Sequence, residues 1–403
     1  MSTLHATTAA VRAGIDQDEA FGAVVPPLVL STNFSFAGFD EKRRYDYTRS
    51  GNPTRDVLAD ALAQLEGGAG GVVTSTGMSA IALVLHAFLK PGDVLVATHD
   101  AYGGSWRLFD ALARKGHFEL VLADLADPRA LAAALARDPA LVWIETPSNP
   151  LLRITDLRFT IEAAHGVGAR AVVDNTFLSP ALQQPIAFGA DVVVHSTTKY
   201  INGHSDVVGG AAIARSAEDH AQLTWWANAL GVTGAPFDSF LTLRGLRTLD
   251  ARWRVHESNA RVVADLLDAH PAVRAVHWPG LPQHPGHTLA RRQQSGFGAM
   301  VSVELEGGVP AVRAFLDGLR CFTLAESLGG VESLVAHPAT MTHAAMSPEA
   351  RANAGIGDGL LRLSVGIEAL EDLQADLAAA LERAQQVIER GTRKRANAVL
   401  ADA

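Results

Sequence analysis

The sequence predicts an α/β protein with a mostly parallel seven-stranded sheet, helices on both faces of that sheet, and a smaller C-terminal α/β domain. From about Val72 to Ala214 short β-branched runs alternate with helical patterns, which is typical of a parallel sheet covered by helices. The chain has 403 residues, more than one hydrophobic core usually supports, so a second domain is expected. Because 48% of the residues are hydrophobic and 19% are charged, the composition indicates a compact globular protein.

The elements of the larger domain follow in chain order. Residues 1–55 contain several prolines and glycines without a sustained period, so they are predicted to form an extended arm that contacts a neighbouring subunit. Residues 56–255 are predicted to form the sheet domain. Its seven strands are predicted at Val72–Thr74, Val94–Ala97, Leu120–Ala123, Leu141–Glu145, Ala171–Asp174, Asp191–His195 and Val208–Ile213.

The smaller domain is predicted over residues 256–390. A helical pattern from Asp238 to about Leu267 leads into it, and a helix over Glu371–Arg390 closes it. Between them, strands are predicted near Val273, Met300, Phe322, Leu334 and Leu361. Residues 391–403 are expected to form a disordered tail without an assigned function.

Composition and charge exclude several classes of function. A net charge of −9 gives no basic field for nucleic acid, and the longest apolar stretch, Ala80–Leu89, is too short to span a bilayer. Cys321 is the only cysteine, so no disulfide can form within the chain and a reducing, cytoplasmic compartment is expected. His284 and His287 lack additional ligands at metal spacing, so no metal site is expected. No nucleic-acid or membrane partner is therefore expected.

Lysine is scarce in this chain, and one of its five lysines has an unusual position. Lys199 follows the apolar strand that ends at His195 and precedes a glycine-rich segment. A lysine at such a place is a candidate nucleophile, because desolvation favours the neutral amine. The position also suits an ordinary lysine at the rim of a sheet, so both interpretations stand at this point.

Two further features lie where ligands bind in open parallel sheets, beyond the carboxyl ends of the strands. Asp174 closes a buried strand, and the run from Thr76 through Gly77 to Met78 turns a strand into a helix whose first amides can bind phosphate. No Rossmann or Walker glycine motif is present, which argues against a nucleotide fold. A lysine, an acid for a pyridine nitrogen and a phosphate-binding helix start are together what pyridoxal 5'-phosphate (PLP) requires.

Two long runs in this region resemble the Cys/Met-metabolism family of PLP-dependent enzymes. They are AVVDNTFLSPALQ (Ala171–Gln183) and HSTTKYINGHSDVVGG (His195–Gly210), and the similarity extends over residues 7–387. Within the family the chain most resembles the bacterial cystathionine γ-synthases. The runs that carry this finer resemblance are YDYTRSGNPTRDVL (Tyr45–Leu58), WWANALGVTGAPFDSFLTLRGLRT (Trp225–Thr248) and FTLAESLGGVESL (Phe322–Leu334).

The resemblance implies an aminotransferase-like architecture of fold type I and a set of cofactor contacts. Lys199 matches the Schiff-base lysine, Asp174 the partner of the pyridinium nitrogen, and Tyr102 the residue that stacks on the cofactor ring. The positions that match phosphate contacts are Thr76, Gly77, Met78, Ser196 and Thr198. The residues that match contacts to the phosphate of the neighbouring subunit are Tyr47 and Arg49, so the resemblance implies a homotetramer built from two dimers with shared active sites.

The same resemblance implies where the substrate binds. Arg362 matches the arginine that clamps the substrate α-carboxylate, and Asn149 and Ser327 match residues on either side of it. Glu326 is expected to contact the amino group of the distal substrate. Arg107 and Arg49 either bind the distal carboxylate of a succinyl group or are ordinary surface or phosphate-contacting residues.

The expected reaction is γ-replacement in methionine biosynthesis, in which O-succinyl-L-homoserine and L-cysteine give L-cystathionine and succinate. Cystathionine γ-lyase and O-acylhomoserine sulfhydrylase activities remain as alternatives, as does a catalytically silent regulator with the same fold. Methionine γ-lyases usually carry a cysteine two residues after the stacking tyrosine, whereas this chain has Gly104 there, which argues against methionine cleavage. A regulator would have no need to keep every catalytic position filled.

Overall fold

The computed structural model describes residues 4–344, 346 and 348–401 and divides into two compact units. The first unit runs to Thr146 and also contains Thr155–Ala251 and Gln293–Ser295. The second unit contains Pro147–Ile154, Arg252–Arg292 and the chain from Gly296 onward. The division after Ala251 lies close to the predicted domain boundary at residue 255.

The helices are α1 Ala6–Val11, α2 Pro53–Glu66, α3 Gly77–Phe88, α4 Gly103–Arg114, α5 Pro128–Leu135, α6 Leu157–Gly166, α7 Ser179–Leu182, α8 Ala217–Leu230, α9 Pro236–Leu246, α10 Leu249–Asp268, α11 His287–Gln293, α12 Gly308–Leu316, α13 Pro348–Ala354 and α14 Leu370–Ala401. The strands are β1 Gly70–Thr74, β2 Val94–Thr98, β3 Glu119–Ala123, β4 Leu141–Glu145, β5 Arg170–Asp174, β6 Val192–His195, β7 Gly210–Ala214, β8 Val273–His277, β9 Met300–Leu305, β10 Thr323–Leu324, β11 Leu334–Ala336 and β12 Leu360–Ser364. The helical pattern predicted to start at Asp238 is two helices, α9 and α10.

The first unit is built on a seven-stranded sheet, as the sequence predicts. The strand order is β1-β7-β6-β5-β4-β2-β3, and only β7 runs antiparallel to its neighbours. Because β1 and β6 both run antiparallel to β7, β1 is parallel to the remaining strands. The carboxyl ends of β1, β2, β4, β5 and β6 therefore lie along one edge of the sheet.

Fully buried apolar side chains hold the helices of the first unit on this sheet. Trp143 of β4 and Phe109 of α4 meet edge to face with their ring centroids 5.5 Å apart, and both are inaccessible to solvent. Leu83 and Val84 of α3 belong to the same buried cluster. This packing fixes where α3 and α4 begin, and both helices begin at the edge where the strands end.

The helix α2 shows how local sequence sets the limits of an element. The Asn52 side chain accepts hydrogen bonds from the amides of Thr54 and Arg55, Pro53 occupies the first helical position, and Gly67 ends the helix in the left-handed conformation with φ +78°. These are the residue types that helix termini favour, because each satisfies or removes an unpaired backbone group.

The second unit carries a five-stranded sheet in the order β10-β11-β12-β9-β8. From β11 through β12 and β9 to β8, each strand is antiparallel to its neighbour. The short strand β10 pairs parallel with β11, and both of its residues are exposed. The helix α12 packs on α14. The segment predicted as a tail from residue 391 is helical backbone up to Ala401, while residues 402 and 403 lie outside the described chain.

Two structural features bear on the kinds of partner the chain can have. Among the described residues, no helix is both long and apolar enough to cross a membrane. Over the same residues, no cluster of three or more His, Cys, Asp or Glu side chains is arranged to hold a metal ion.

Candidate active site

The predicted cofactor residues of the first unit gather along the edge where its parallel strands end. Asp174 ends β5, the loop from Ser196 to Lys199 follows β6, Thr76 precedes α3 after β1, and Tyr102 precedes α4 after β2. These segments are far apart in sequence, and the topology alone brings them to one edge.

Asp174 is tied to the neighbouring loop through Thr176. The amide of Thr176 donates a hydrogen bond of 2.9 Å to Asp174 Oδ1, and Thr176 Oγ1 accepts one of 2.9 Å from the amide of Ser196. Burial raises the pKa of Asp174, and hydrogen bonds from the side chain and amide of Thr176 oppose that rise. Asp174 is therefore a carboxyl group that would be stabilised in its charged form by a cationic ligand.

The start of α3 lies directly against the loop after β6. Thr76 caps the helix by accepting a 2.8 Å hydrogen bond from the amide of Ser79. A Cβ atom on Gly77 would lie 2.8 Å from Cβ of Ser196, so glycine is what permits this approach. The first amides of α3 have no partner within the helix, and next to them lie the hydroxyl groups of Thr76, Ser79 and Ser196. This is a suitable cradle for a phosphate group.

The turn that carries Lys199 is held at several points. Thr198 Oγ1 donates to the carbonyl of Gly209 at 3.2 Å and accepts from the amide of Gly209 at 3.0 Å. The amide of Lys199 donates to the Ser196 carbonyl, and the Lys199 carbonyl accepts from the amide of Gly203. The lysine is half-buried rather than fully enclosed, so its side chain can be reached from the edge of the sheet.

Tyr102 stands at the start of α4 with 42% of its surface exposed. Its amide donates a 2.7 Å hydrogen bond to Glu145 Oε2. A Cβ atom on Gly104 would lie 2.4 Å from Cε1 of Tyr102 and 2.9 Å from Sδ of Met78. The missing side chain at position 104 thus leaves room for the tyrosine ring beside α3.

The predicted substrate residues Arg362, Asn149 and Ser327 form a group within the second unit. Arg362, on β12, is 3% exposed and donates from Nη1 to Asn149 Oδ1 at 3.0 Å and from Nη2 to the Ser327 carbonyl at 2.9 Å. Ser327 has a left-handed backbone with φ +81°, and Ser364 Oγ accepts a hydrogen bond from the amide of Gly329 just beyond it. Arg362 and Ser364 therefore hold the loop between them from one face of β12.

The remaining predicted residues lie at exposed positions. Arg49 Nε donates to Asn228 Oδ1 at 2.9 Å, and its guanidinium carbon lies 5.5 Å from the centroid of the Tyr47 ring, so the two arm residues support each other. Arg107 is exposed on α4, and Glu326 is exposed in the loop before Ser327.

Sequence reasoning missed two features of this edge. Glu145 ends β4 in the same way as Asp174 ends β5, so the pattern of an apolar strand closed by an acid was available as a signal. The second feature is a buried network in which His195 Nε2 lies 2.6 Å from Glu66 Oε1, and Asn175 Nδ2 donates to the same oxygen. No local pattern connects Glu66 with residues more than a hundred positions away.

A family profile described as "Cys/Met metabolism PLP-dependent enzyme" matches residues 7–382. The chain belongs to this family. It is therefore a PLP-dependent enzyme, and its fold is that of the family, as the sequence predicts. The residues of the first unit fit the cofactor, because the Asp174 carboxyl group suits a protonated ring nitrogen and the cradle at Gly77 suits a phosphate.

Similar proteins lie in several branches of the family. The chain is 58% identical to cystathionine gamma-synthase of Escherichia coli over 375 residues, which is 93% of this chain and 97% of that protein. It is 74% identical to cystathionine gamma synthase from Xanthomonas oryzae pv. oryzae, whose crystal structure in complex with cystathionine covers 96% of this chain with a TM-score of 0.95 and is itself covered completely. A cystathionine beta-lyase of Lactococcus lactis is 45% identical over 93% of this chain and 98% of its own.

Proposed function

We propose that the protein catalyses γ-replacement, forming L-cystathionine and succinate from O-succinyl-L-homoserine and L-cysteine. The observation that carries this proposal is the 74% identity to a cystathionine gamma synthase that has been crystallised with cystathionine. The similar β-lyase is 45% identical, which favours the synthase activity over the lyase activities. Such identity supports an activity rather than a silent regulator.

In this proposal Lys199 and Asp174 serve the cofactor and the proton transfers. PLP, when bound, supplies an electron sink for the substrate's Cα. Lys199 would hold the cofactor through its side-chain amine, and that amine would move protons at Cα and Cβ of the bound substrate. Asp174 would keep the ring nitrogen protonated, and Tyr102 would stack on the ring. The held turn around Lys199 supports this role, because a proton carrier must be positioned closely.

The phosphate of the cofactor is proposed to lie at the start of α3. Amides of Gly77 and Met78 and the hydroxyls of Thr76, Ser196 and Thr198 supply the donors. This arrangement combines unpaired helix amides with neutral hydroxyl groups, which suits a multiply charged anion.

The α-carboxylate of the substrate is proposed to bind Arg362. A guanidinium can present two parallel donors to a carboxylate, and the hydrogen bonds that Arg362 donates to Asn149 and Ser327 hold its plane fixed. Glu326 is proposed to contact the amino group of the incoming cysteine, and Arg107 the carboxylate of the succinyl group. Both are exposed and charged, which suits contact with a charged, exchanging substrate.

We further propose a homotetramer of two dimers, in which Tyr47 and Arg49 complete the phosphate site of a neighbouring subunit. The arm that carries them exposes large apolar side chains, among them Phe21 at 91% and Val24 at 66%. Several large apolar side chains exposed on one segment support the proposal that another subunit covers this segment. We also propose a cytoplasmic location, because a chain with a single cysteine can form no disulfide within itself, as is usual for proteins of a reducing compartment.

A paired assay tests the reaction. The purified enzyme is given O-succinylhomoserine with cysteine, and separately cystathionine, and the formation of cystathionine and of 2-oxobutyrate is measured. Dominant cystathionine synthesis supports the proposal. Dominant release of 2-oxobutyrate from cystathionine would assign the protein to the γ-lyases, and faster turnover with sulfide than with cysteine would assign it to the sulfhydrylases. Lys199→Ala is the control that should abolish every one of these reactions.

Mixing two inactive variants tests the shared site. Lys199→Ala lacks the lysine and Arg49→Ala lacks the neighbour's contact. Hybrid dimers contain one site with both residues intact, so activity should return on mixing. If the mixture stays as inactive as its components while light scattering shows subunit exchange, the active site is not shared.

A further inference from the structure

Glu145 is a buried acid beside the proposed cofactor site. It ends β4, is 6% exposed, and is paired in register with Asp174 of β5. Residues paired across parallel strands project from the same face of the sheet. The two carboxyl groups therefore stand side by side on one face, at the edge where the cofactor residues gather.

Two donors fix the carboxyl group of Glu145. Its Oε2 accepts the 2.7 Å hydrogen bond from the amide of Tyr102, and its Oε1 accepts a 3.0 Å bond from the indole of Trp143. The tyrosine is the N-cap residue of α4, so the carboxyl group also lies near the positive end of that helix. Both contacts favour the charged form, and they place one carboxylate oxygen under the backbone that carries the Tyr102 ring.

A nearby cation would stabilise the two buried carboxyl groups of Glu145 and Asp174. Burial, followed by the charge of Asp174, raises the pKa of Glu145 to about 8, against the effect of its hydrogen bonds. Burial also raises the pKa of Asp174, and His195 of β6 lowers it. Two buried carboxylates side by side are stable together only when a positive charge compensates them. A protonated nitrogen heterocycle held against Asp174 supplies such a charge.

We propose that Glu145 is an electrostatic positioning residue, which acts with Asp174 to keep the ring nitrogen of the cofactor protonated and fixes the backbone of Tyr102 beside that ring. This inference rests on the proposed role of Asp174 in PLP binding. In this arrangement two carboxylates would stabilise the protonated ring nitrogen: Asp174 in direct contact and Glu145 behind it.

The test uses holoenzyme carrying PLP labelled with ¹⁵N in the ring, and follows the ring-nitrogen signal between pH 6 and 9. Wild type should keep the protonated signal over most of this range and begin to lose it only near the upper end, which sets the reference midpoint. Glu145→Gln keeps an acceptor and removes the charge, so the nitrogen should lose its proton with a midpoint lower by about one pH unit, and PLP affinity should fall about tenfold. Glu145→Asp restores the charge and should restore the protonated signal. Glu162→Gln, at an exposed position on α6, is the matched control and should behave as wild type.

If Glu145→Gln is poorly folded by circular dichroism, Trp143→Phe takes its place. It removes one donor to Glu145 and should shift the ring-nitrogen midpoint in the same direction by a smaller amount. A midpoint unchanged from wild type, or equal signals for the Gln and Asp variants, would overturn the inference. Because the readout needs bound PLP but no turnover, an enzyme that binds PLP and makes no cystathionine would refute the proposed reaction without affecting this result.

Discussion

Replacement of Thr176 by valine should weaken cofactor binding without changing the fold. Valine has nearly the shape of threonine and lacks the hydroxyl group that links Asp174 to the loop after β6. In the present structure that hydroxyl accepts the 2.9 Å bond from the Ser196 amide and stabilises the charged form of Asp174. The change therefore affects both Asp174 and the loop after β6 that carries Ser196.

The magnitude follows from these contacts. A hydrogen bond to a charged group contributes about 1.5–3 kcal/mol, which corresponds to a loss of about 10- to 100-fold in affinity for PLP. The valine variant also leaves the Ser196 amide without its acceptor, which should lower the free energy of unfolding by about 1–3 kcal/mol. The pKa of Asp174 should rise further, so the affinity loss should grow as the pH is lowered.

The assay is a titration of apoenzyme with PLP, followed by cofactor absorbance at two pH values, with Thr176→Ser as the matched variant. Serine keeps the hydroxyl group and should stay within a few-fold of wild type. Equal losses in the serine and valine variants would show that the methyl packing matters rather than the hydrogen bonds. Wild-type affinity in the valine variant would refute the reasoning outright.

Three further changes have defined outcomes. Gly104→Ala puts a Cβ atom 2.4 Å from the Tyr102 ring, so it should displace the ring and shift the cofactor absorbance; an unchanged spectrum would show that the ring moves without consequence. Arg362→Lys should raise the KM for O-succinylhomoserine by about 10- to 100-fold, since two parallel donors become one point charge, while PLP affinity stays constant. His256 has a pKa lowered to about 4 by burial, so the unfolded chain binds more protons between that value and about 6.5. The free energy of unfolding should therefore decrease as the pH is lowered across this window, by about 2–3 kcal/mol at pH 4.5 relative to neutral pH. In urea unfolding at pH 7.5 and 4.5, His256→Gln should not show this part of the decrease.

The strands of the first unit were predictable because their signal is local. Buried parallel strands read as continuous β-branched runs, and each of the seven predicted runs overlaps an observed strand. The break between α9 and α10 was missed, since both helices carry apolar periodicity and no proline separates them. The tail pattern after residue 390 gave no sign that α14 continues to Ala401.

The position of the candidate residues at one edge of the sheet was predictable where a single residue gives the signal, while their roles remain predictions. Lys199 and Asp174 follow strands, and their chemical types are rare at such places. Glu145 has the same position, but its partner is a backbone amide more than forty residues away, and no spacing rule reports such a contact. The link through Thr176 is likewise a contact between two loops, which depends on β5 and β6 being neighbours.

The division of the chain into two units also limits how the protein can be dissected or recombined. The chain passes between the units at 146/147, 154/155, 251/252, 292/293 and 295/296, so no single cut yields two complete pieces. A fragment from residue 252 onward would lack Asn149, the acceptor that holds Arg362, and Arg153, whose side chain donates to the Ala354 carbonyl. Exchange of the smaller domain between relatives by one crossover would therefore join an arginine from one parent to an asparagine from the other, so the two must be inherited together.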